Sequence, residues 1–316
     1  MSSVVACSRY PWRWPTSPST GMIDAHHHLW SLGAHDYSWL DEPVYAPVRR
    51  DFGLADLAPE LAAAGVHRTV LVEAGSGEPA ETEEFLTLAA ASGGLVAGVV
   101  GTVELRSSSL TDVLDRYAAH PAAHLLLGVR DQVQGIADAG FFTSADVRAG
   151  LAAVARRGLA YDLVVRADQL PGCVALARAV PGLRFVLDHL GKPGIAAGVP
   201  TLASWRAALA PLAACPNTTA KLSGLVTEAD PAHWTPDDLR PFVETAVELF
   251  SPARLMFGSD WPVCLVAATY AEVVGAVRAA LPPLRPAELA EVLGGTAARV
   301  YRIGERPAPV SPDSVR

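Results

Sequence analysis

Cysteine is scarce: Cys7, Cys173, Cys215 and Cys264 are the only four in 316 residues, far apart and without a C-x-x-C pair. That spacing excludes a zinc knuckle and offers no disulfide framework, so the four read as reduced thiols of a cytoplasmic protein. Charge is modest as well, at 18% of residues, with a formal net charge of -8 and no Lys/Arg cluster. Nucleic-acid binding needs a basic patch, so it is excluded, and small molecules become the expected partners. Long apolar runs are also missing. The Ala- and Leu-rich segments are broken by Arg, Asp, Gly and Pro before they reach the length of a membrane span. The opening MSSVVACSRYPWRWPTSPST lacks the apolar middle of a secretory signal. Residues 1–21 are expected to form a mobile N-terminal arm, with Met22 as an alternative start to Met1.

What remains is a globular composition, half hydrophobic, with enough apolar material for a large core. Short β-rich runs alternate with longer amphipathic ones. The runs are MIDAH, TVLVEA from Thr69, LVAGVVGT from Leu95, HLLLGVR from His124, LAYDLVV from Leu159, RFVLDHL from Arg184, TTAKLSG from Thr218 and RLMFGSD from Arg254. Helical patterns such as LADLAPELAAAG and ADVRAGLAAVARRG follow them, closing at Gly65 and Gly158. Eight strand-then-helix repeats predict an α/β fold, a single-domain (β/α)₈ TIM barrel over residues 22–303. No G-x-G-x-x-G or phosphate loop follows any run, which argues against an open nucleotide-binding sheet. The segment RPAELAEVLGGTAARVYRI packs outside or caps the far end, and residues 304–316 form a flexible tail.

Parallel strands buried on both faces should be apolar, so polar residues at their C-terminal ends need a reason. Here they recur: His26 and His28, Glu73, Arg130, Asp162, Asp188 and His189, Lys221 and Ser223, Ser259 and Asp260. Barrel enzymes gather their chemistry at that rim. In MIDAHHHLW the two-residue period of a strand puts His26 and His28 on one face and His27 on the other. With His189 and Asp260 they make a plausible ligand set for one divalent ion, zinc being the natural choice. Each has a bland alternative: a buried histidine bonded to backbone for His189, a helix cap for Asp260, internal ion pairs for Arg130 and Lys221. Pro262 weakens the capping role by delaying the helix after Asp260. Trp30 and Trp261 are either packing residues or platforms on which a sugar ring stacks.

The segments IDAHHHLW, LLGVRDQVQG, VLDHLGKP, AKLSGL and FGSDWPV together resemble the amidohydrolase superfamily, in particular its sugar-lactone hydrolases and the related pyrone-dicarboxylate lactonases. The resemblance spans residues 22–303. It implies a (β/α)₈ barrel, a central set of His26, His28, His189 and Asp260, and a substrate pocket lined by Arg130 and Lys221. Some relatives of this branch hydrolyse lactones without a tightly bound metal, so an ion-free site is the alternative to a single divalent ion. Glu73 departs from the Gln of many relatives, and its carboxylate would either add a ligand or repel an acidic substrate.

The expected reaction is hydrolysis of a lactone or related carboxylic ester, with Asp260 as base and Arg130, Lys221 and the histidines stabilising charge on the carbonyl oxygen. Glu73, Arg130, Asp162, Trp30 and Trp261 are the expected substrate contacts. Two rivals stand beside it: a decarboxylase of the same superfamily and an inactive barrel serving as a binding module. No G-x-S-x-G elbow supports a serine nucleophile. Assembly into a homo-oligomer is left open.

Overall fold

The computed structural model describes residues 21–304 except Ala137 and Ala139. The expected arm and tail, and with them Cys7, therefore lie outside the described residues apart from Gly21 and Gly304. Eight parallel strands run in chain order: β1 (Met22–His27), β2 (Val66–Val72), β3 (Val96–Thr102), β4 (Leu126–Asp131), β5 (Ala160–Leu163), β6 (Arg184–Leu187), β7 (Thr218–Leu222) and β8 (Leu255–Phe257). Between and after them come α1 (Leu54–Ala64), α2 (Pro79–Ala91), α3 (Leu110–Ala119), α4 (Ala145–Arg156), α5 (Leu170–Ala179), α6 (Val199–Ala213), α7 (Pro236–Phe250) and α8 (Tyr270–Ala280). This is the (β/α)₈ barrel expected from the eight repeats.

Local chemistry fixes the elements. In α3, Leu110, Leu114 and Tyr117 recur at helical spacing and are buried, while Asp112, Asp115 and Arg116 lie on other faces. α1 stops at Gly65, whose φ of 69° is free of steric cost only for glycine. α8 starts from a reciprocal cap in which the Glu272 amide donates to Thr269 Oγ1 and the Thr269 amide donates to Glu272 Oε2.

Strand ends differ from the sequence reading at the rim. RFVLDHL was expected as one strand, but β6 ends at Leu187, because His189 and Leu190 take φ of 53° and turn the chain sharply. β8 likewise stops at Phe257, three residues short of Asp260. Between β8 and β1 the barrel is closed by the segment after β8. The Asp260 amide donates to the His26 carbonyl at 2.8 Å and the His28 amide to the Trp261 carbonyl at 2.7 Å. The Asp24 carboxylate ties the seam, accepting from the amides of His26 and Ser259 and from the Tyr270 hydroxyl.

Of the two places offered for the last helical segment, the structure takes the far end. α9 (Pro286–Ala290), a π-helical turn and α10 (Thr296–Tyr301) sit at the start of the strands, where Arg184 at the head of β6 donates to the Val300 carbonyl. Ala297, Val300 and Tyr301 join the barrel interior made by Ile23, Ala25, Val70, Val72, Val100, Leu127, Ala160, Val186 and Met256. Among the described residues no helix is long and apolar enough to cross a membrane. Cys173, Cys215 and Cys264 are buried and unpaired.

His27 points away from its neighbours, its Nε2 2.9 Å from Thr69 Oγ1 on β2. Burial, then the neighbouring His28, pushes it down from 6.5 to about 3. The unfolded chain therefore takes up a proton near pH 6.5 that the folded chain refuses. The resulting stability is present above pH 6.5 and is lost as the pH falls towards 3. Between pH 7 and pH 5 this one group should cost about 2 kcal/mol. In denaturant unfolding, His27→Gln should lose about that much less than the wild type over the same interval; equal losses would contradict the assignment.

Candidate active site

The rim brings together four groups from three parts of the chain. His26 Nε2 and His28 Nε2 stand 3.1 Å apart, and Asp260 Oδ1 lies 3.7 Å from the first and 3.5 Å from the second. His189 Nε2 is 3.9 Å from the same oxygen, and its ring centre is 4.5 Å from that of His26. All four side chains are buried or nearly so. The expectation from strand periodicity is met, with His26 and His28 on one face and His27 on the other.

Two of the four depend on unusual backbone. His189 and Asp260 have φ of 53° and 59°, a region that costs an L-residue roughly 1–2 kcal/mol. The surroundings hold them there. Trp205 Nε1 donates to the Leu190 carbonyl at 2.9 Å, the Lys192 amide to the His189 carbonyl, and the Cys264 amide to the Asp260 carbonyl. The Asp260 side chain therefore does not serve as a helix cap: no side chain caps the 3₁₀ turn that follows, and α8 begins only at Tyr270.

The electrostatics suit ligation. Burial, reinforced by Lys221, pushes His26 well below its ordinary value, and burial brings His189 down to about 4. Both rings are neutral near pH 7, the form that ligates. Burial alone would raise the Asp260 carboxyl, but the neighbouring His189, His28 and His26 outweigh it and hold the group well below the usual carboxylate range. Donors around a tetrahedral ion with bonds of ~2 Å stand roughly 3.3 Å apart. The separations of 3.1, 3.5 and 3.7 Å among His26, His28 and Asp260 fit that spacing, so the cluster fits a divalent metal. His28 is oriented for the role, with Nδ1 3.0 Å from the Val72 carbonyl; His189 Nδ1 meets Ser223 Oγ at 2.9 Å.

Below the rim lies a layer of buried charge. Lys221 Nζ sits 2.6 Å from Asp162 Oδ2, 2.9 Å from Asp188 Oδ1 and 3.1 Å from His26 Nδ1. Arg130 donates from Nη1 to Asp188 Oδ2 at 3.0 Å, from Nε to Glu73 Oε1, and from Nη2 to the Glu73 carbonyl. Tyr301, rising from α10, donates to Asp162 Oδ2 at 2.6 Å. Several of the residues expected at the substrate thus have partners within the protein. Lys221 and Asp162 are fully buried, and the ammonium is held among Asp162, Asp188 and His26. The Arg130 guanidinium is engaged through all three nitrogens. The Glu73 carboxylate is held by Arg130, Gln132 and the Gly75 amide. Trp30 is wedged among Tyr37, Trp39 and Phe52 with its indole N–H on the Arg50 carbonyl, and Trp261 packs on Phe52. Both rings are buried and pack as part of the core.

Asp188, Asp24 and Tyr301 escaped assignment from sequence. The signal for the two aspartates was present, a carboxylate inside an otherwise apolar strand, which survives burial only with partners; Tyr301 carried no such signal.

Gly224 shows how tightly the site is packed. Its φ is 62°, and a Cβ there would lie 2.6 Å from His189 Nδ1 and 3.1 Å from Asp260 Oδ2. Gly224→Ala should displace one of the two and lower kcat/KM by roughly 10²-fold. Steady-state kinetics beside a thermal melt will check this, and an unaltered kcat/KM would mean that the two side chains are not held as described.

Comparison with known proteins finds relatives over nearly the whole described chain. The amidohydrolase family model matches residues 23–303. The L-fucono-1,5-lactonase of Burkholderia ambifaria is 38% identical over 296 residues, covering 92% of this chain and 98% of that protein. An amidohydrolase from Burkholderia multivorans, solved with zinc bound, is 39% identical with a TM-score of 0.82, over 89% of this chain and 99% of that one. The 5-carboxyvanillate decarboxylase of Sphingomonas paucimobilis shares the fold, at 16% identity and a TM-score of 0.60, over 89% of this chain and 99% of its own. With the barrel, the ordered rim residues and a match over nearly the whole described chain, the protein belongs to the amidohydrolase family.

Proposed function

We propose that this chain is a lactonase that opens the ester ring of a sugar-acid lactone by attack of an activated water. The observation that carries this reading is the convergence of His26, His28 and His189 on the ionised carboxylate of Asp260, at 3.5 to 3.9 Å, in the mouth of the barrel. The similarity to fuconolactonases over most of both chains supports the sugar-acid substrate. Three buried free thiols support a cytoplasmic setting.

Asp260 is an acceptor only, so it takes a proton from the water as the water oxygen bonds to the carbonyl carbon. The bond from that carbon to the ring oxygen then breaks, and Asp260 returns the proton to the departing alkoxide. The product is an open-chain hydroxy acid. Imidazole N–H groups at the rim are the donors placed to steady charge on the carbonyl oxygen, since Lys221 and Arg130 are committed to carboxylates below. His26, His28 and Asp260, with His189 alongside, would hold a zinc ion, a choice supported by the nitrogen-rich donor set and by the zinc of the Burkholderia multivorans neighbour. Such an ion, when bound, polarises a carbonyl and brings the pKa of water towards neutrality.

A pH-indicator assay over a panel of sugar-acid lactones, run before and after chelation, tests the proposal. Acid release from at least one lactone is expected. Carbon dioxide release from an aromatic acid, with every lactone untouched, would overturn it in favour of the lyase. Turnover that survives chelation would keep the reaction and remove zinc from it.

A further inference from the structure

Nδ1 of His26 has two neighbours of opposite character. The Lys221 ammonium is 3.1 Å away and only donates; Asp188 Oδ1 is 3.3 Å away and, as a carboxylate, only accepts. Across the ring, His26 Nε2 lies 3.1 Å from His28 Nε2. The other nitrogen of His28 faces the Val72 carbonyl at 3.0 Å, which accepts and cannot donate. A neutral His28 therefore carries its proton on Nδ1 and presents Nε2 as a lone pair. The contact between the two Nε2 atoms is then a hydrogen bond only if His26 carries its proton on Nε2. That leaves His26 Nδ1 as an acceptor, and Lys221 donates into it. The chain runs without a mismatch from Lys221 through His26 and His28 to the backbone of β2.

An ion on His26 Nε2 demands the opposite tautomer, because a ligating nitrogen must offer its lone pair. We propose that Lys221 and Asp188 form a two-way tautomer selector for His26: Lys221 holds the Nε2–H form while the site is free of metal, and Asp188 accepts from the Nδ1–H form when Nε2 turns to a metal. One proton leaves Nε2 and one arrives at Nδ1, so the net charge of the ring is unchanged. Lys221 keeps Asp162 and Asp188 as partners in both states. It is a positioning residue, acting on the reacting atoms through His26. In the metal-free state the selector commits the His26 Nε2–H to His28, and neither tautomer depends on the lactone reading.

The test uses full-length protein carrying ¹⁵N-histidine, with imidazole ¹⁵N–¹H correlation spectra recorded after stripping by a chelator and again with one equivalent of zinc. The His26 signals are assigned by their loss in His26→Gln. The stripped wild type should show His26 protonated at Nε2, and zinc should move the proton to Nδ1. Lys221→Met should show the Nδ1–H form before any zinc is added. Wild-type His26 already protonated at Nδ1 when stripped, a proton that stays on Nε2 with zinc present, or a Lys221→Met spectrum matching wild type would each overturn the proposal. If Lys221→Met does not fold, the wild-type spectra decide alone. Because the readout is spectroscopic, failure here leaves the lactone assay standing, and failure of that assay leaves this result interpretable.

Discussion

Asp260→Asn should reduce lactone turnover by roughly 10²–10⁴-fold, the usual contribution of a positioned acid–base group, while the protein still folds. The amide has the shape of the carboxylate but cannot take the proton of water. Its neighbours lose little: the Asp260 backbone bonds to His26 and Cys264 do not involve the side chain. Asn is also one of the few residues that tolerates the φ of 59° at this position. Thermal midpoints of the two proteins should therefore lie close together while kcat separates them. An Asn variant with wild-type kcat would remove Asp260 from the chemistry, and one that fails to fold would show that the carboxylate is structural.

Arg130→Met should have the largest effect on stability. Removing one partner from a buried ion pair strands the remaining charge, at a cost of about 3–5 kcal/mol. Here a single guanidinium serves both Glu73 and Asp188, each fully buried. Asp188 retains Lys221, but Glu73 keeps only the dipolar donors Gln132 and the Gly75 amide. The loss should therefore be recovered in part by adding Glu73→Gln, which neutralises the stranded group. Guanidinium unfolding of the single and double variants measures the coupling directly. If the double variant is no more stable than Arg130→Met, Glu73 is not the source of the penalty.

How far the sequence carries the reader differs from one residue to the next. His26 and His28 were legible because a strand has a fixed two-residue period, and no long-range information is needed to put alternate side chains on one face. His189 and Asp260 were legible as members of a rim because eight strand ends must converge in a closed barrel. Lys221 and Arg130 were located on their strands with two readings open, pocket lining or internal ion pair, and what the sequence could not name was their carboxylate partners Asp162 and Asp188. Those partners sit on other strands, at sequence separations a local pattern cannot see. Tyr301 was hidden for the same reason, since its role depends on α10 reaching through the barrel floor to Asp162. The tryptophans illustrate a different limit. Trp30 and Trp261 lie next to the ligand residues in sequence, yet the 3₁₀ turns and Phe52 of the β1–α1 connection close over them. Loop packing of that kind is not encoded in the spacing of polar and apolar residues.

The central claim is that water attacks the acyl carbon of a lactone beside Asp260. Single-turnover hydrolysis of a sugar-acid lactone in ¹⁸O-water, followed by mass spectrometry of fragments, tests it most directly. One heavy oxygen is expected in the carboxylate of the product and none in the hydroxyl released from the ring. Heavy oxygen in that hydroxyl would place the cleavage at the other carbon–oxygen bond and contradict it.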